Sequence, residues 1–321
     1  MGKKAATVGD AHTCAVDKHG GGPVKTGAEH VRTNSKLQAR TLDELGCEGA
    51  KPDIIATGSM TVLVNSRPAA RLSDLTAHHP SNRIVEGSSD VFIGGPTVSG
   101  NPMAGKAACE RAARTRSSKD GKPNYNQHHN NCGIESVRQI VNYFVDPTVT
   151  EEQLLAAALA LPGNEVTPSG KNKGGATPGD EIDLLRTYGI DGTTLPSPTL
   201  ADLARPVAEG RGVIASVDAA TLRGDPGRAL TAVAGDRLAG DPVGESSHAV
   251  LVTGMEYDDQ GNITHVHFND TGGKKAGCGK RVSAAQFEKA MANNDLGPDL
   301  SPAAVITDPI WHRPPAPIPE K

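Results

Sequence analysis

Two sets of side chains in this 321-residue chain have the types and the spacing to do chemistry. The first centres on Cys132, within "NQHHNNCGIESVRQI" at 126–140. Behind it, apolar residues at Ile134, Val137, Val141 and Phe144 mark one helix face, and the run stops before Asp146-Pro147. With Asn130 or Asn131 as N-cap, Cys132 falls in the first turn, where the helix dipole and free N–H groups favour an anion. A cysteine in such a place has a lowered pKa, and the thiolate is the nucleophile. The bland alternative is a small buried hydrophobe, since free cysteines are among the most buried residues. What weighs against it lies downstream. His248 opens one predicted strand, Asp270 ends the next with Asn269 beside it, and a turn at 258–262 brings both to one sheet edge. A helix-start thiol, a base and an orienting carboxylate are what thiol-based acyl transfer requires. Gln127, five residues before Cys132, can add an oxyanion donor beside the Cys132 backbone N–H.

The second set lies in the first 80 residues. "GAEHVRTNSKLQARTLDELGC" (27–47) lies over "GSMTVLVNSRPAARLSDLTAH" (58–78) without a gap, at an offset of 31. A third partial copy is split, with "GSSDVFIGG" (87–95) repeating the start and "VGDAHTC" (8–14) the end. Each copy closes on Asp-x-x-x-Cys/His: Asp10 to Cys14, Asp43 to Cys47, Asp74 to His78. His19 supplies a fourth donor, and two thiolates with two imidazoles make a closed tetrahedral zinc set. His12 and His79 are the substitutes for the fourth ligand.

Short alternating segments such as "TVLVN" and "DVFIG", set between Gly, Asn-Ser and Pro turns, read as three β-hairpins. None can bury a core alone, so a pseudo-threefold β-prism is expected. "Pro68-Ala69-Ala70-Arg71", then Leu-Ser-Asp, with "EGSSDVFIGG" behind, resembles the PAAR-repeat domain. That resemblance implies a zinc-containing cone capping the VgrG-type spike trimer of a type VI secretion system. One copy departs from the motif, with Leu37-Gln38-Ala39-Arg40 in its place.

From 124 onward helices come first. "TEEQLLAAALA" opens with a capping-box pattern from Thr150 to Gln153. "TPGDEIDLLRTYG" has Thr177 as cap, Pro178 in the first turn and Gly189 as terminator, and Ser197 is expected to cap another. Strands follow in "GVIASVDA" and "SSHAVLVTGMEYDDQGNITHVHFNDTGG". Helices before an antiparallel sheet point to an α+β domain. Cys278, in "KKAGCGKR", is expected in a loop, and His128, His129, His265 and His267 as solvated or packing residues. "Asn-Cys-Gly-Ile", "His-Ala-Val-Leu-Val-Thr-Gly" and "His-Phe-Asn-Asp-Thr-Gly", in this order, resemble the papain-like superfamily, above all the C39-like cysteine peptidases. The resemblance implies Cys132 as nucleophile, His248 as base and Asp270, rather than Asn269, as the third member. Its glutamine usually stands six residues before the cysteine, where this chain has Asn126.

Two domains suit the length, with expected bounds 1–98, a linker at 99–123, 124–310 and a tail at 311–321. A net charge of −4 gives no field for nucleic acid or anionic membrane. No apolar run reaches membrane-spanning length, and no Sec-type leader is expected. Five cysteines, an odd count, argue against a disulfide framework. The expected whole is a type VI effector, made in the cytoplasm and delivered into a target cell. Its tip carries a cysteine peptidase that cuts target-cell protein and is held in check by an immunity protein. Glutamine deamidation or a peptidoglycan amide cut would use the same residues, and an inactive spike-tip adaptor is the non-enzymatic alternative.

Overall fold

The structure is a computed structural model that describes residues 2–48, 52–65, 67–78, 81–101, 103, 127–170, 173–224, 247–258, 260–272, 277–294 and 303–310. Most of the expected linker, His79 and the tail lie outside the described residues. The chain forms two compact units. One comprises Met1–Pro102 with Ala204–Gly210 and Gly254–Thr264, the other Met103–Leu203 with Arg211–Thr253 and His265–Lys321.

The first unit is strand-rich and built from very short ladders. The longest strands before residue 100 are β1 (Thr57–Ser59) and β2 (Thr97–Ser99), which pair antiparallel. What binds the three copies together is a closed ring of backbone bonds. Ala6 N–H donates to Ala70 O, Ala70 N–H to Ala39 O and Ala39 N–H to Ala6 O, each at 2.9 Å. Gln38 stands where the other copies have Ala5 and Ala69, and its Nε2 donates to Ala6 O, Ala39 O and Ala70 O at 2.9–3.2 Å. The departure from the motif thus places one amide against all three ring carbonyls. Below it, Ala6, Val24, Ala39, Leu45, Ile55, Ala70 and Ile84 form a core of small and branched side chains.

The repeated aspartates close the turns of their own copies. Asp10 accepts Thr7 N–H and Oγ1–H, Asp43 accepts Arg40, and Asp74 accepts Arg71 Nε and Nη2 at 3.0 Å. Arg71 is fully buried and also donates to Gly94 O, Gly95 O and Thr97 Oγ1.

In the second unit the first helix, α1 (Cys132–Phe144), is buried along its whole length after Cys132. Its apolar residues Ile134, Val137, Ile140 and Val141 enter a core with Leu154, Leu155, Leu184, Leu185 and Leu251. Its polar residues are buried too, and Arg138 is paired with Glu135 at 2.8 Å. α2 (Glu151–Ala160) and α3 (Pro178–Thr187) begin with full capping boxes on Thr150 and Thr177. After β3 (Gly192–Pro196), α4 (Leu200–Ala208) starts two residues later than expected. Thr199, not Ser197, takes the Asp202 N–H, because Ser197 sits at φ 46°, outside an N-cap's extended range.

β4 (Val213–Asp218), ending in the one-turn α5 (Ala219–Leu222), pairs antiparallel with β5 (Ser247–Tyr257), Val217 opposite His248. β6 (Ile263–Asp270) pairs with β5 and with β7 (Gly277–Ser283), which leads into α6 (Ala284–Ala292). β8 (Ala303–Thr307) lies between β3 and β4. Cys278 is therefore in a strand, not a loop, and it is disulfide-bonded to a partner outside the described residues. An odd cysteine count excludes pairing of all five, not a single bridge.

The buried Arg71–Asp74 pair yields a stability prediction. Arg71→Met strands a buried carboxylate and should cost the first unit about 3–5 kcal/mol in denaturant unfolding. Arg40→Met should cost less, because Arg67 Nη1 still lies 3.4 Å from Asp43.

Candidate active site and metal cluster

Cys132 is the first residue of α1, with Asn131 as N-cap. The half-buried sulfur accepts the Ala249 N–H at 3.3 Å, and the His248 ring and the Gly133 N–H act on its charge. His248 comes from the start of β5 and is buried, its Nε2 2.8 Å from Asp270 Oδ1. Asp270, at the end of β6, is fully buried and takes further bonds from Gly272 N–H at 2.9 Å, Arg223 Nη2 at 3.2 Å and Lys280 Nζ at 3.1 Å. Three of the side chains expected from sequence, Cys132, His248 and Asp270, are thus brought together.

The charges follow from these contacts. Burial works to raise the Asp270 carboxyl, but His248 and then Arg223 outweigh it and hold the acid well below the usual carboxylate range. Burial works to lower His248, yet the Cys132 charge and the Asp270 bond push it up to about 9. Burial works to raise the Cys132 thiol, and the His248 charge with the bonds from His248, Ala249 and Gly133 brings it below its ordinary value. The site thus shifts the thiol toward thiolate and the imidazole toward imidazolium.

Asn269 faces elsewhere, with its amide donating to Gln139 on α1 at 3.0 Å and its oxygen accepting the Gly279 N–H. Gln127 pairs with the residue after Asp270: its N–H donates to Thr271 O, and its Oε1 accepts Thr271 Oγ1–H at 2.8 Å. That contact fixes the amide so that Nε2 is the end left to donate.

Sequence reasoning missed four contributors. Arg223 and Lys280 are distant in sequence from the cysteine and carry no local signal. Gly272 was legible only as a turn residue, yet a Cβ there would stand 2.7 Å from His248 Cε1 and 3.0 Å from Arg223 Nη2. Glu181, on α3, packs its carboxyl over Gly133. Burial, then the Cys132 charge, raises it well above the usual carboxylate range.

In the first unit the donor atoms of Cys14, His19, Cys47 and His78 all lie within 4.8 Å of one another. His19 Nδ1 is 3.8 Å from Cys14 Sγ and 3.6 Å from Cys47 Sγ. Burial, then Cys14, pushes the Cys47 thiol up to about 11. Two thiols that oppose each other's ionisation, beside two imidazoles, are a donor set completed by a soft divalent cation. His12 stands outside the set, its Nδ1 2.8 Å from Gly22 O. His128 and His129 pair with Glu151 and Glu152.

Residues 17–79 and 49–101 match the PAAR motif, and residues 120–294 match the C39-like peptidase family. The chain belongs to the C39-like peptidase family. As a C39-like protein it is a peptidase-type enzyme, joined to a PAAR unit of the kind found at type VI spike tips. No curated protein matches the chain. A solved structure described as a C39-like peptidase from Bacillus anthracis is 16% identical. It covers 56% of this chain and 89% of its own, at a TM-score of 0.36.

The tight seat of His248 against Gly272 can be measured. Gly272→Ala should destabilise the second unit by about 1–3 kcal/mol in denaturant unfolding, as overpacking does. Gly179→Ala, in the first turn of α3 with its nearest neighbour atom at 3.5 Å, should be neutral or stabilising.

Proposed function

We propose that the chain is a type VI secretion effector whose C39-like unit is a cysteine peptidase toxin, with Cys132 as nucleophile, His248 as general base and acid, and Asp270 as its orienting partner. The observation that carries this reading is the buried His248, whose charge acts on the helix-start thiol and whose Nε2 lies 2.8 Å from a carboxylate contacted by two further cations.

The Cys132 thiolate attacks a peptide carbonyl carbon, and the C=O electron pair moves onto oxygen. Gln127 Nε2–H and the Cys132 N–H donate to that oxyanion. As the oxyanion collapses, the C–N bond breaks and the leaving amine takes the proton from His248, leaving a thioester on Cys132. His248 then removes a proton from water, the hydroxide adds to the thioester, and the thiolate is expelled with the acid product. Asp270 holds the imidazole in the productive tautomer throughout.

The PAAR unit would be a pseudo-threefold cone seated on a VgrG-type spike trimer. Cys14, His19, Cys47 and His78 would hold one structural zinc, which when bound would tie the loops of three copies together. Delivery would be into a target cell, with a cognate immunity protein guarding the producer. Among the described residues no helix is long and apolar enough to cross a membrane.

The full chain, expressed in susceptible bacteria in cytosolic and periplasmic forms with profiling of new protein termini, tests the enzyme. Cys132→Ala should abolish toxicity and the new termini, His248→Ala should be nearly as damaging, and Asp270→Asn should hurt less. A folded Cys132→Ala protein that still kills refutes the assignment. New deamidated glutamines without new termini would select deamidation instead.

The pH dependence has a fixed sign. The folded pKa of His248 lies above its ordinary 6.5, so its contribution to stability is complete below 6.5 and disappears as pH rises through about 9. Turnover should fall in the same window, because the leaving amine loses its proton donor. Elemental analysis should find about one zinc per chain, and removing Cys14 or Cys47 should release it.

A further inference from the structure

One buried carboxylate of the first unit is explained neither by turn closure nor by the metal set. Asp53 is only 1% exposed, and its Oδ1 accepts the N–H groups of Ile54, Ala77 and His78 at 2.8, 3.0 and 2.9 Å. Its Oδ2 accepts the Thr76 hydroxyl. Asp53 thereby clamps residues 76–78, the loop end that carries the candidate ligand His78.

The same Oδ2 is turned toward two imidazoles. It lies 4.0 Å from His78 Nδ1 and 3.8 Å from His12 Nε2. Both ring nitrogens are buried and have no hydrogen-bond partner among the described residues. His12 is itself fixed at its other nitrogen by Gly22 O. A buried, anionic acceptor standing just beyond hydrogen-bonding distance of two orphaned ring nitrogens is a polar arrangement left incomplete without a bound cation.

We propose that Asp53 is the positioning residue of the metal centre: it fixes His78 through both backbone and ring, and it supplies the outer negative charge that a divalent ion on Cys14, His19, Cys47 and His78 requires. This rests on the reading of those four residues as a zinc site. Groups just outside a metal's ligands orient them and typically change affinity about 10–100-fold when removed. His12, beyond the ligand set, faces the same Oδ2 at 3.8 Å. The repeat explains why such a residue is needed here alone. Cys14 and Cys47 bring negative charge as thiolates, whereas the third copy ends on a neutral imidazole that must be aimed.

The test uses the full chain loaded with zinc, titrated with a chromogenic chelator, and the same chain loaded with cobalt and read by its visible ligand-field bands. Asp53→Asn keeps the side chain's shape and an oxygen for the backbone N–H groups. It should release zinc about 10–100-fold more readily and shift the cobalt bands, while the melting temperature of the metal-free chain changes little. Thr76→Val leaves the carboxylate in place and removes one bond that orients it, so a loss of only a few-fold is expected. A wild-type chain that binds no zinc overturns the zinc reading itself. A wild-type chain that binds zinc, with both variants holding it as tightly and with unchanged cobalt spectra, overturns the role of Asp53 alone. If Asp53→Asn does not fold, Thr76→Val decides by the same readouts.

Discussion

The Cys132–His248–Asp270 cluster of the second unit depends on a single buried carboxylate kept charged. Asp270 is shut away from water, and an isolated ion there would be costly enough to take up a proton. His248, Arg223, Lys280 and the Gly272 N–H prevent that. Because Asp270 stays ionised, His248 is held toward its protonated form, and the charge on His248 in turn draws the thiol's pKa down. Each element of the fold can be read by which link it supplies. β5 brings His248, β6 brings Asp270, α5 leads into Arg223, β7 carries Lys280, and α1 presents the sulfur.

Close packing maintains the line as much as charge does. Gly272 leaves room for the imidazole, and Gly133 leaves room for the Glu181 carboxyl. Asn269 and Gln139 tie β6 to α1, so the strand that bears the carboxylate and the helix that bears Cys132 are held by adjoining residues. The first unit follows a different logic with the same economy. Its strands are too short to be stable as ladders, and it closes through three reciprocal backbone bonds around Gln38.

Much of this was legible in the sequence because its signals are local. The helix start at Cys132, the capping boxes on Thr150 and Thr177, the strand carrying His248 and the 31-residue repeat each involve neighbours or an exact period. The missing parts are those whose cause is distant. "GCGKRVS" shows no apolar alternation, and it becomes a strand only because β6 offers it partners from His265 to Asp270. Arg223 reaches Asp270 across 47 residues of chain. The repeated aspartates kept their spacing from the metal donors for a structural reason, since each closes its own turn. Gln38 read as a defect in the motif and is the amide that meets all three copies.

The central claim is that Cys132 is a thiolate at neutral pH because His248 is an imidazolium held by Asp270. Its most direct test is the rate of Cys132 alkylation by iodoacetamide, followed by mass spectrometry across pH in the wild-type chain and in His248→Ala. The account predicts a wild-type rate already on its plateau at pH 7, and in the variant a rate that rises only near pH 8.5, as for an ordinary thiol. A wild-type rate that itself rises only near that pH, unchanged by His248→Ala, would contradict it.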